Sequence, residues 1–264
     1  MDIYANTWCY RDASRETAFR SIARLGYAGV EIIAHPPCWH ADILDTTTRR
    51  KESLRLISEL GLSVVALSPN TEYLVFDEEK RRQAIEHTMA MIDLTRLYGV
   101  NLTRIFAGGR FPENQTKDAC IEAVIKALKP CAEYAESREV VLAVESHGQF
   151  GTDIEALAVI INEIDSPSLG ITLDTSNFAV NGVDPLRAID VFNGRIYHTH
   201  LKDSLLGEKS IATAVGEGSL DFPAIIQKLN ETGYRGAFCV EYEGSEPADV
   251  GLAKSLGYIR KLFA

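Results

Sequence analysis

The sequence has few cysteines and no arrangement that would pair them. Its five cysteines are an odd number, and no two have the C-x-x-C spacing of a thiolate zinc site. No run approaches the length of about 20 apolar residues that a membrane-spanning helix needs. The opening segment MDIYANTWCYRD lacks the basic and apolar regions of a secretory signal. We therefore expect no disulfide framework and no membrane partner, and predict a cytoplasmic protein.

Positive charge is also scarce. Lysine and arginine together number 27, against 37 aspartates and glutamates, which gives a formal net charge of −10. Such a protein gains no general electrostatic attraction to nucleic acid phosphates or to anionic lipid. The composition therefore argues against nucleic acid as a partner or substrate.

Glycine is missing from the turn after the first predicted strand, which reads WCYRDAS. An open dinucleotide-binding sheet would need a glycine-rich phosphate loop there. The rest of the chain alternates β-branched or aromatic runs with amphipathic stretches of helical spacing. The predicted strands are Ile3–Trp8, Gly29–Ala34, Ser63–Ser68, Asn101–Ala107, Glu139–Glu145, Leu169–Asp174, Arg195–Leu201 and Gly236–Tyr242. The predicted helices are Ser14–Leu25, Thr47–Leu60, Glu78–Tyr98, Lys117–Ser137, Asp153–Ile164, Pro185–Phe192, Phe222–Thr232 and Ala248–Phe263.

This alternation predicts the fold class. Strands separated by helices form a parallel sheet, and eight repeats with no extra strand favour closure of that sheet into a barrel. No linker, low-complexity tract or shift in composition interrupts the series. The sequence therefore predicts an α/β fold, a single (β/α)₈ TIM barrel in which residues 1–264 form one domain.

Four consecutive predicted strands end in an acid or an imidazole. The runs VVLAVE, LGITLD, RIYHTH and GAFCVE end at or near Glu145, Asp174, His200 and Glu241. In such barrels the functional residues lie at the carboxyl ends of the strands. Three converging carboxylates repel one another unless a cation compensates them. Oxygen donors with one imidazole suit Mn²⁺, Mg²⁺, Co²⁺ or Zn²⁺, so we predict one divalent metal ion held by these four side chains.

Further polar and aromatic residues are expected at the same mouth. His147 stands two residues after Glu145 and is a candidate general base, with a backbone-bonded loop histidine as the alternative. His198 shares a strand face with His200 and is predicted to be a hydrogen-bonded core histidine. Lys202 could pair with its neighbour Asp203 or contact substrate. The predicted substrate-binding residues are Asn6, Trp8, His35, Phe106, Asn177 and Lys202.

Several segments resemble a known superfamily. VVLAVESHG, GITLDTSN, YHTHLKDS, VGEGSLDFPAIIQKLNETGYRG and FCVEYEG resemble the sugar phosphate isomerase/epimerase superfamily, the xylose-isomerase-like barrels, over essentially the whole chain. The resemblance implies a metal held by Glu145, Asp174, His200 and Glu241. In ketose 3-epimerases of this superfamily the two glutamates exchange the substrate proton on opposite faces, and the metal stabilises the enediolate. The implied catalytic residues are therefore Glu145 and Glu241.

The chain also departs from that pattern. Where those epimerases carry a histidine, an arginine and an acid, this sequence has Asn177, Leu206 and Gly151. The E-x-H pair of Glu145 and His147 instead resembles lyases that act on 3-oxo-glycosides, in which a base removes the proton beside the oxo group and the aglycone is expelled. Both reactions begin with the same proton abstraction.

These observations lead to ordered expectations. The first is an isomerase or epimerase that abstracts a proton next to the carbonyl of a sugar or oxo-sugar and uses one divalent ion, with Mn²⁺ preferred. The second is a lyase on 3-oxo-glycosides with His147 as base. The third is a non-catalytic sugar-binding barrel or subunit. The expected partners are a small sugar or glycoside and further copies of the chain in a homo-oligomer, with a small accessory subunit as an open alternative.

Overall fold

Eight parallel strands form a closed barrel in the computed structural model, which describes residues 2–263. We label them β1 to β8 in chain order. Each pairs with its neighbour, and β1 pairs with both β8 and β2, so the sheet closes. The strands are Ile3–Asn6, Gly29–His35, Ser63–Pro69, Leu102–Phe106, Val141–Glu145, Leu169–Asp174, Ile196–Leu201 and Phe238–Val240. The predicted (β/α)₈ barrel is confirmed.

One main helix follows each strand, as predicted. The helices α1 to α8 are Arg15–Leu25, Thr47–Glu59, Glu78–Leu97, Lys117–Ser137, Ile154–Ile164, Pro185–Val191, Phe222–Glu231 and Ala248–Leu262. Local chemistry sets their ends. Helix α1 begins where Ser14 Oγ accepts a hydrogen bond from the backbone N–H of Thr17, at 3.1 Å, and ends at Gly26 with φ of 91°. Helix α6 begins with Pro185 after the capping carboxylate of Asp184.

Two strands end two residues earlier than predicted. The prediction that β1 continues to Trp8 is wrong, because Asn6 Oδ1 accepts the N–H of Trp8 at 2.8 Å and starts the 3₁₀ turn Thr7–Tyr10. The last strand ends at Val240, so Glu241 is the first residue after the strand. Both changes fall at the carboxyl ends of strands, where the chain leaves the barrel.

Short elements that the sequence did not predict build the rim of the barrel. They are the strand Cys38–Trp39, the helices Gly148–Gly151 and Thr175–Val180, and a hairpin of Asp203–Leu205 with Ile211–Thr213. Each follows the carboxyl end of a barrel strand, which is the end that carries the functional residues of such barrels. Within residues 2–263, no helix combines the length and apolar character needed to cross a membrane.

The layer between barrel and helices is apolar, whereas the barrel interior becomes polar toward the mouth. Phe19 on α1 is fully buried, and burial of such a side chain contributes roughly 1.5–3 kcal/mol. Inside the barrel lie Glu31, Arg104, His198 and His200, each at most 2% exposed. Buried charged groups are costly unless they are paired or hydrogen-bonded. Their presence together inside the barrel therefore indicates a functional site.

Candidate active site and metal centre

The four side chains predicted as metal ligands meet at the mouth of the barrel. Glu145, Asp174, His200 and Glu241 each offer one ligand atom, and these atoms all lie within 4.8 Å of one another. His200 Nδ1 is 3.4 Å from Glu145 Oε2, 3.7 Å from Glu241 Oε2 and 3.9 Å from Asp174 Oδ2. The alignment of β6 with β7 places Asp174 beside His200. Acidic and imidazole groups are thus positioned to bind a metal ion.

Three of the converging atoms have no hydrogen-bond partner. Glu145 Oε2, Asp174 Oδ2 and His200 Nδ1 are buried and make no hydrogen bond among residues 2–263, although Arg104 Nε lies 3.1 Å from Glu145 Oε2. A buried polar atom without a partner costs about 1–3 kcal/mol, and native proteins rarely leave several together. A divalent ion would satisfy all three at once. Three carboxylate oxygens and one imidazole nitrogen also match the donors that Mn²⁺, Mg²⁺, Co²⁺ and Zn²⁺ accept. The residues therefore fit a metal ion.

The pKa values of the three carboxyl groups also indicate that negative charge is concentrated in this cluster. Burial raises the pKa of Glu145, and it raises that of Asp174 well above its usual range, with the other carboxylates adding to the effect for both. Burial also opposes ionisation of Glu241, but the ammonium of Lys202 and the imidazole of His200 outweigh it and lower its pKa to about 2. Without a further cation, the local positive charge is not enough for all three carboxylates.

Neighbouring groups hold the carboxylates in place. Asn177 donates its side-chain amide to Glu145 Oε1 at 3.2 Å and its backbone N–H to Asp174 Oδ1 at 2.7 Å. Lys202 Nζ donates to Glu241 Oε2 at 3.2 Å and also pairs with Glu243. These contacts occupy one oxygen each of Glu145 and Asp174 and leave the other facing the cluster.

A cavity of about 250 Å³ adjoins the donor cluster on the side of Glu145 and Glu241. Its lining includes Trp8, His35, Phe106, His147 and Lys202 from the sequence-predicted set, together with Glu145 and Glu241. It also includes Ile33, Pro36, Asn70, Arg104 and Glu243, which the sequence had not assigned to the site. A larger groove of about 450 Å³ lies between α1 and α2 but contains none of the four donors.

Two predicted substrate-binding residues lie outside the lining of this cavity. Asn6 is fully buried and caps the 3₁₀ turn through its Oδ1. Asn177 supports Glu145 and Asp174 rather than facing the opening. Their positions point to support of the site from behind, while their role toward substrate stays a prediction.

Aromatic and imidazole rings form two walls of the cavity. The rings of Trp8 and His35 lie 5.5 Å apart, and those of Phe106 and His147 lie 4.6 Å apart. The guanidinium of Arg104 lies 4.0 Å above the centre of the Phe106 ring. Burial, and then the charge of Arg104, lower the pKa of His35 to about 4. An apolar wall beside polar donors is a common arrangement in small-ligand pockets.

The structure also shows the surroundings of His198 on β7 and of Lys202 directly after it, two residues interpreted from the sequence. His198 is a buried, hydrogen-bonded histidine as predicted, with Nε2 at 2.8 Å from Glu31 Oε2. Lys202 does not pair with Asp203. The Asp203 carboxylate instead accepts backbone N–H groups of Gly216 and Gly218, at 3.0 and 2.9 Å, and so anchors the loop that follows the rim hairpin.

Sequence reasoning missed Glu31 and passed over Arg104. Glu31 lies on β2, fully buried, with both His198 and His200 at 2.8 Å from its Oε2. Arg104 Nε lies 3.1 Å from Glu145 Oε2. A signal existed for Glu31, because an acid inside the apolar run GVEIIA shares a strand face with Ile33 and His35.

Comparisons with known proteins agree with this fold. The curated L-ribulose 3-epimerase of Methylomonas sp. (strain DH-1) is 24% identical over 269 aligned positions, which cover 99% of this chain and 89% of that protein. An inosose dehydratase of Lacticaseibacillus casei is 30% identical over 131 positions, 42% of this chain and 44% of that protein. The crystal structure of a D-tagatose 3-epimerase-like protein superposes with a TM-score of 0.82 at 19% identity, covering 100% of this chain and 97% of that one.

The family described as xylose isomerase-like TIM barrel matches residues 19–262, which is most of the chain. The curated relatives named above are an epimerase and a dehydratase, and the epimerase similarity extends along nearly the full length of this chain. The resemblance found in the sequence motifs is thereby confirmed. The chain belongs to the xylose isomerase-like TIM barrel family.

Proposed function

We propose that this protein is a divalent-metal-dependent enzyme of the isomerase/epimerase type, which removes a proton next to the carbonyl of a sugar or oxo-sugar and returns it to the resulting enediolate. The observation that carries this proposal is the convergence of four donor atoms within 4.8 Å, next to a cavity of about 250 Å³ that Glu145 and Glu241 line. The full-length similarity to an L-ribulose 3-epimerase supports the same class.

The ion would be held by Glu145, Asp174, His200 and Glu241, and we propose Mn²⁺, with Mg²⁺, Co²⁺ and Zn²⁺ as alternatives. When bound, a divalent ion supplies Lewis acidity to a carbonyl and its neighbouring hydroxyl. Proton transfer and orientation of the substrate are carried out by side chains of the protein.

Glu145 and Glu241 would carry the proton. Their Oε2 atoms lie 3.4 and 3.7 Å from His200 Nδ1, with Glu145 at the end of β5 and Glu241 directly after β8. One carboxylate removes the proton from the carbon beside the carbonyl, and the acid form of the other delivers a proton to the opposite face, which inverts that carbon. Asn177 and Lys202 fix the orientation of the two carboxylates through hydrogen bonds of 3.2 Å each.

The walls would orient the sugar. Trp8 and Phe106 offer ring faces to the C–H faces of a sugar, while Lys202 and Arg104 line the same cavity as hydrogen-bond donors. Residues Glu145 and Arg104 are at most 2% exposed, so the chemistry takes place in a largely desolvated floor where electrostatic contacts are strong.

A second candidate is a lyase, favoured by the position of His147. Its imidazole lines the cavity but is not one of the four clustered donors, so it is available as a base. In this reaction the base takes the proton beside the oxo group, the electron pair forms a carbon–carbon double bond, and the substituent on the next carbon leaves with its bonding pair. The similarity to an inosose dehydratase over 131 positions is in keeping with such an elimination.

A non-catalytic sugar-binding barrel is the third possibility. The unpartnered donors of Glu145, Asp174 and His200 count against it, since binding a neutral sugar does not require a Lewis acid. We therefore rank it below both reactions.

One experiment separates the three functions. Metal-free protein is reloaded with Mn²⁺ and offered free ketoses and 3-oxo-glycosides side by side in deuterated water, with mass spectrometry as the readout. Our proposal predicts solvent deuterium in an epimerised or isomerised sugar. Release of aglycone without any epimer would replace it with the lyase. Tight sugar binding without exchange or release would support the binding protein.

A further inference from the structure

We propose that Glu31 is a positioning residue that fixes the Nε2–H tautomer of His200 and so turns the Nδ1 lone pair toward the metal ion. This inference rests on the proposed metal centre and adds to it a residue outside the four donors. Glu31 does not line the cavity, so it would act through His200 rather than on substrate.

The contacts of Glu31 place it directly behind the metal centre. Its Oε2 lies 2.8 Å from Nε2 of His200 and 2.8 Å from Nε2 of His198. Its Oε1 accepts the hydroxyl proton of Ser68 and lies 3.9 Å from Nε of Arg104. These four groups come from three other strands, β3, β4 and β7, so the carboxylate links β2 to all three across the barrel.

The tautomer follows from the identity of the acceptor. A histidine that binds a metal ion is neutral. A neutral imidazole carries one N–H, and an ionised carboxylate can only accept hydrogen bonds. His200 must therefore donate from Nε2 to Glu31, which leaves the lone pair on Nδ1. That Nδ1 is the buried, unpartnered atom that lies 3.4–3.9 Å from three carboxylate oxygens. Nε2 of His200 thus donates a hydrogen bond to Glu31, and Nδ1 is left to bind the metal ion.

Charge supports the assignment of an ionised Glu31. Both of its oxygens face donors: Nε2 of His198 and Nε2 of His200 lie 2.8 Å from Oε2, while the Ser68 hydroxyl donates to Oε1 and the guanidinium Nε of Arg104 lies 3.9 Å from that oxygen. A negative charge behind the ring increases the basicity of Nδ1. In metalloproteins, loss of such a carboxylate partner typically weakens metal binding by about 10- to 100-fold.

Glu31, His198 and His200 could also be considered a second metal site, since their ligand atoms lie within 4.8 Å of one another. Their hydrogen bonds argue otherwise. Glu31 Oε2 and both Nε2 atoms already satisfy one another at 2.8 Å, whereas the atoms on the cavity side of His200 are unpartnered. The structure therefore assigns the ion to the cavity side and the hydrogen bonds to the Glu31 side.

The first test is Glu31→Gln. Its amide matches the carboxylate in shape, but it lowers the charge and can donate, so it no longer enforces one tautomer. We expect the dissociation constant for Mn²⁺, measured by titration calorimetry on metal-free protein, to rise by about 10- to 100-fold. The visible spectrum of the Co²⁺-loaded variant should differ from that of the wild type. Ser68→Ala, which removes only the donor to the other oxygen, is the matched control and should retain wild-type affinity.

A second measurement uses the unaltered protein, so it does not depend on folding of a variant. In the Zn²⁺-loaded wild type, ¹⁵N–¹H correlation of the imidazoles should show His200 protonated at Nε2 and metal-shifted at Nδ1. Protonation at Nδ1 would overturn the proposal. So would wild-type affinity in a folded Glu31→Gln variant, or two bound ions of which that variant loses one. All titrations are made without sugar, so failure here and failure of the proposed reaction are separate results.

Discussion

Replacing Asp174 by asparagine should stabilise the metal-free protein and remove most of the stabilisation that Mn²⁺ gives. Asp174 Oδ1 accepts the backbone N–H of Asn177 at 2.7 Å, and an asparagine oxygen can keep that bond. Asp174 Oδ2 has no hydrogen-bond partner, although Lys202 Nζ lies 3.8 Å away. Burial raises the pKa of Asp174 well above its usual range, so without a cation its charge opposes folding at neutral pH. An amide N–H₂ there could donate to the neighbouring carboxylates.

The size of both effects can be estimated. Relief of one unpartnered buried group is worth about 1–3 kcal/mol. For a chain of this length each kcal/mol moves the melting temperature by about 2–4 °C, so the metal-free variant should melt several degrees above the metal-free wild type. Mn²⁺ at 100 times its dissociation constant stabilises the wild type by about 2.7 kcal/mol, or about 5–10 °C. Asp174→Asn should lose most of that gain.

The assay is differential scanning calorimetry in EDTA and again in excess MnCl₂. Asp12→Asn, which changes an exposed acid, is the charge-matched control and should behave as the wild type in both buffers. The reasoning is refuted if Asp174→Asn melts below the wild type in EDTA and yet gains the full Mn²⁺ shift.

Three further substitutions test individual roles. Glu145→Gln should lower turnover by at least about 100-fold, because it removes both a ligand and an acid–base group; unchanged turnover in a steady-state assay would exclude Glu145 from catalysis. His147→Ala should leave the Mn²⁺ content, measured by elemental analysis, intact, and aglycone release should fall by about 100-fold if the lyase is correct; unaltered release would return His147 to a loop role. Lys202→Met strips the buried Glu241 of its cation and should destabilise the protein by about 3–5 kcal/mol in urea unfolding. The exposed Lys254→Met should change stability by less than about 1 kcal/mol, and an equal effect of the two would contradict the argument.

Elements whose signals are local were predicted well from sequence. Helix Lys117–Ser137 has the predicted bounds, because both of its signals are local. The capping residue Thr116 directly precedes the helix, and the apolar residues recur at helical spacing along it. Strand Leu169–Asp174 also matches, since an apolar run is followed directly by a capping aspartate. Eight such units then leave closure into a barrel as the simplest way to bury both faces of the sheet. Closure of the barrel brings the carboxyl ends of the strands together, and this explains why the four donors could be predicted to cluster.

The features that could not be predicted from the sequence depend on contacts across the barrel. Glu31 meets His198 and His200 only after the sheet closes, at a distance of 167 or 169 positions along the chain. The pairing register shifts at Val30/Glu31 and again at Ile171/Thr172, so alternation along one strand does not determine which side chains lie side by side. The rim elements are equally non-local, because short loops of this kind are shaped by the strands beneath them.

The central claim is that one divalent ion is held by Glu145, Asp174, His200 and Glu241. Its most direct test is the anomalous difference density of crystals grown with MnCl₂, recorded at the manganese absorption edge. The account predicts a single strong peak about 2.0–2.3 Å from one ligand atom of each of the four side chains. Absence of a peak within about 4 Å of them, or a peak between Glu31, His198 and His200 instead, would contradict it.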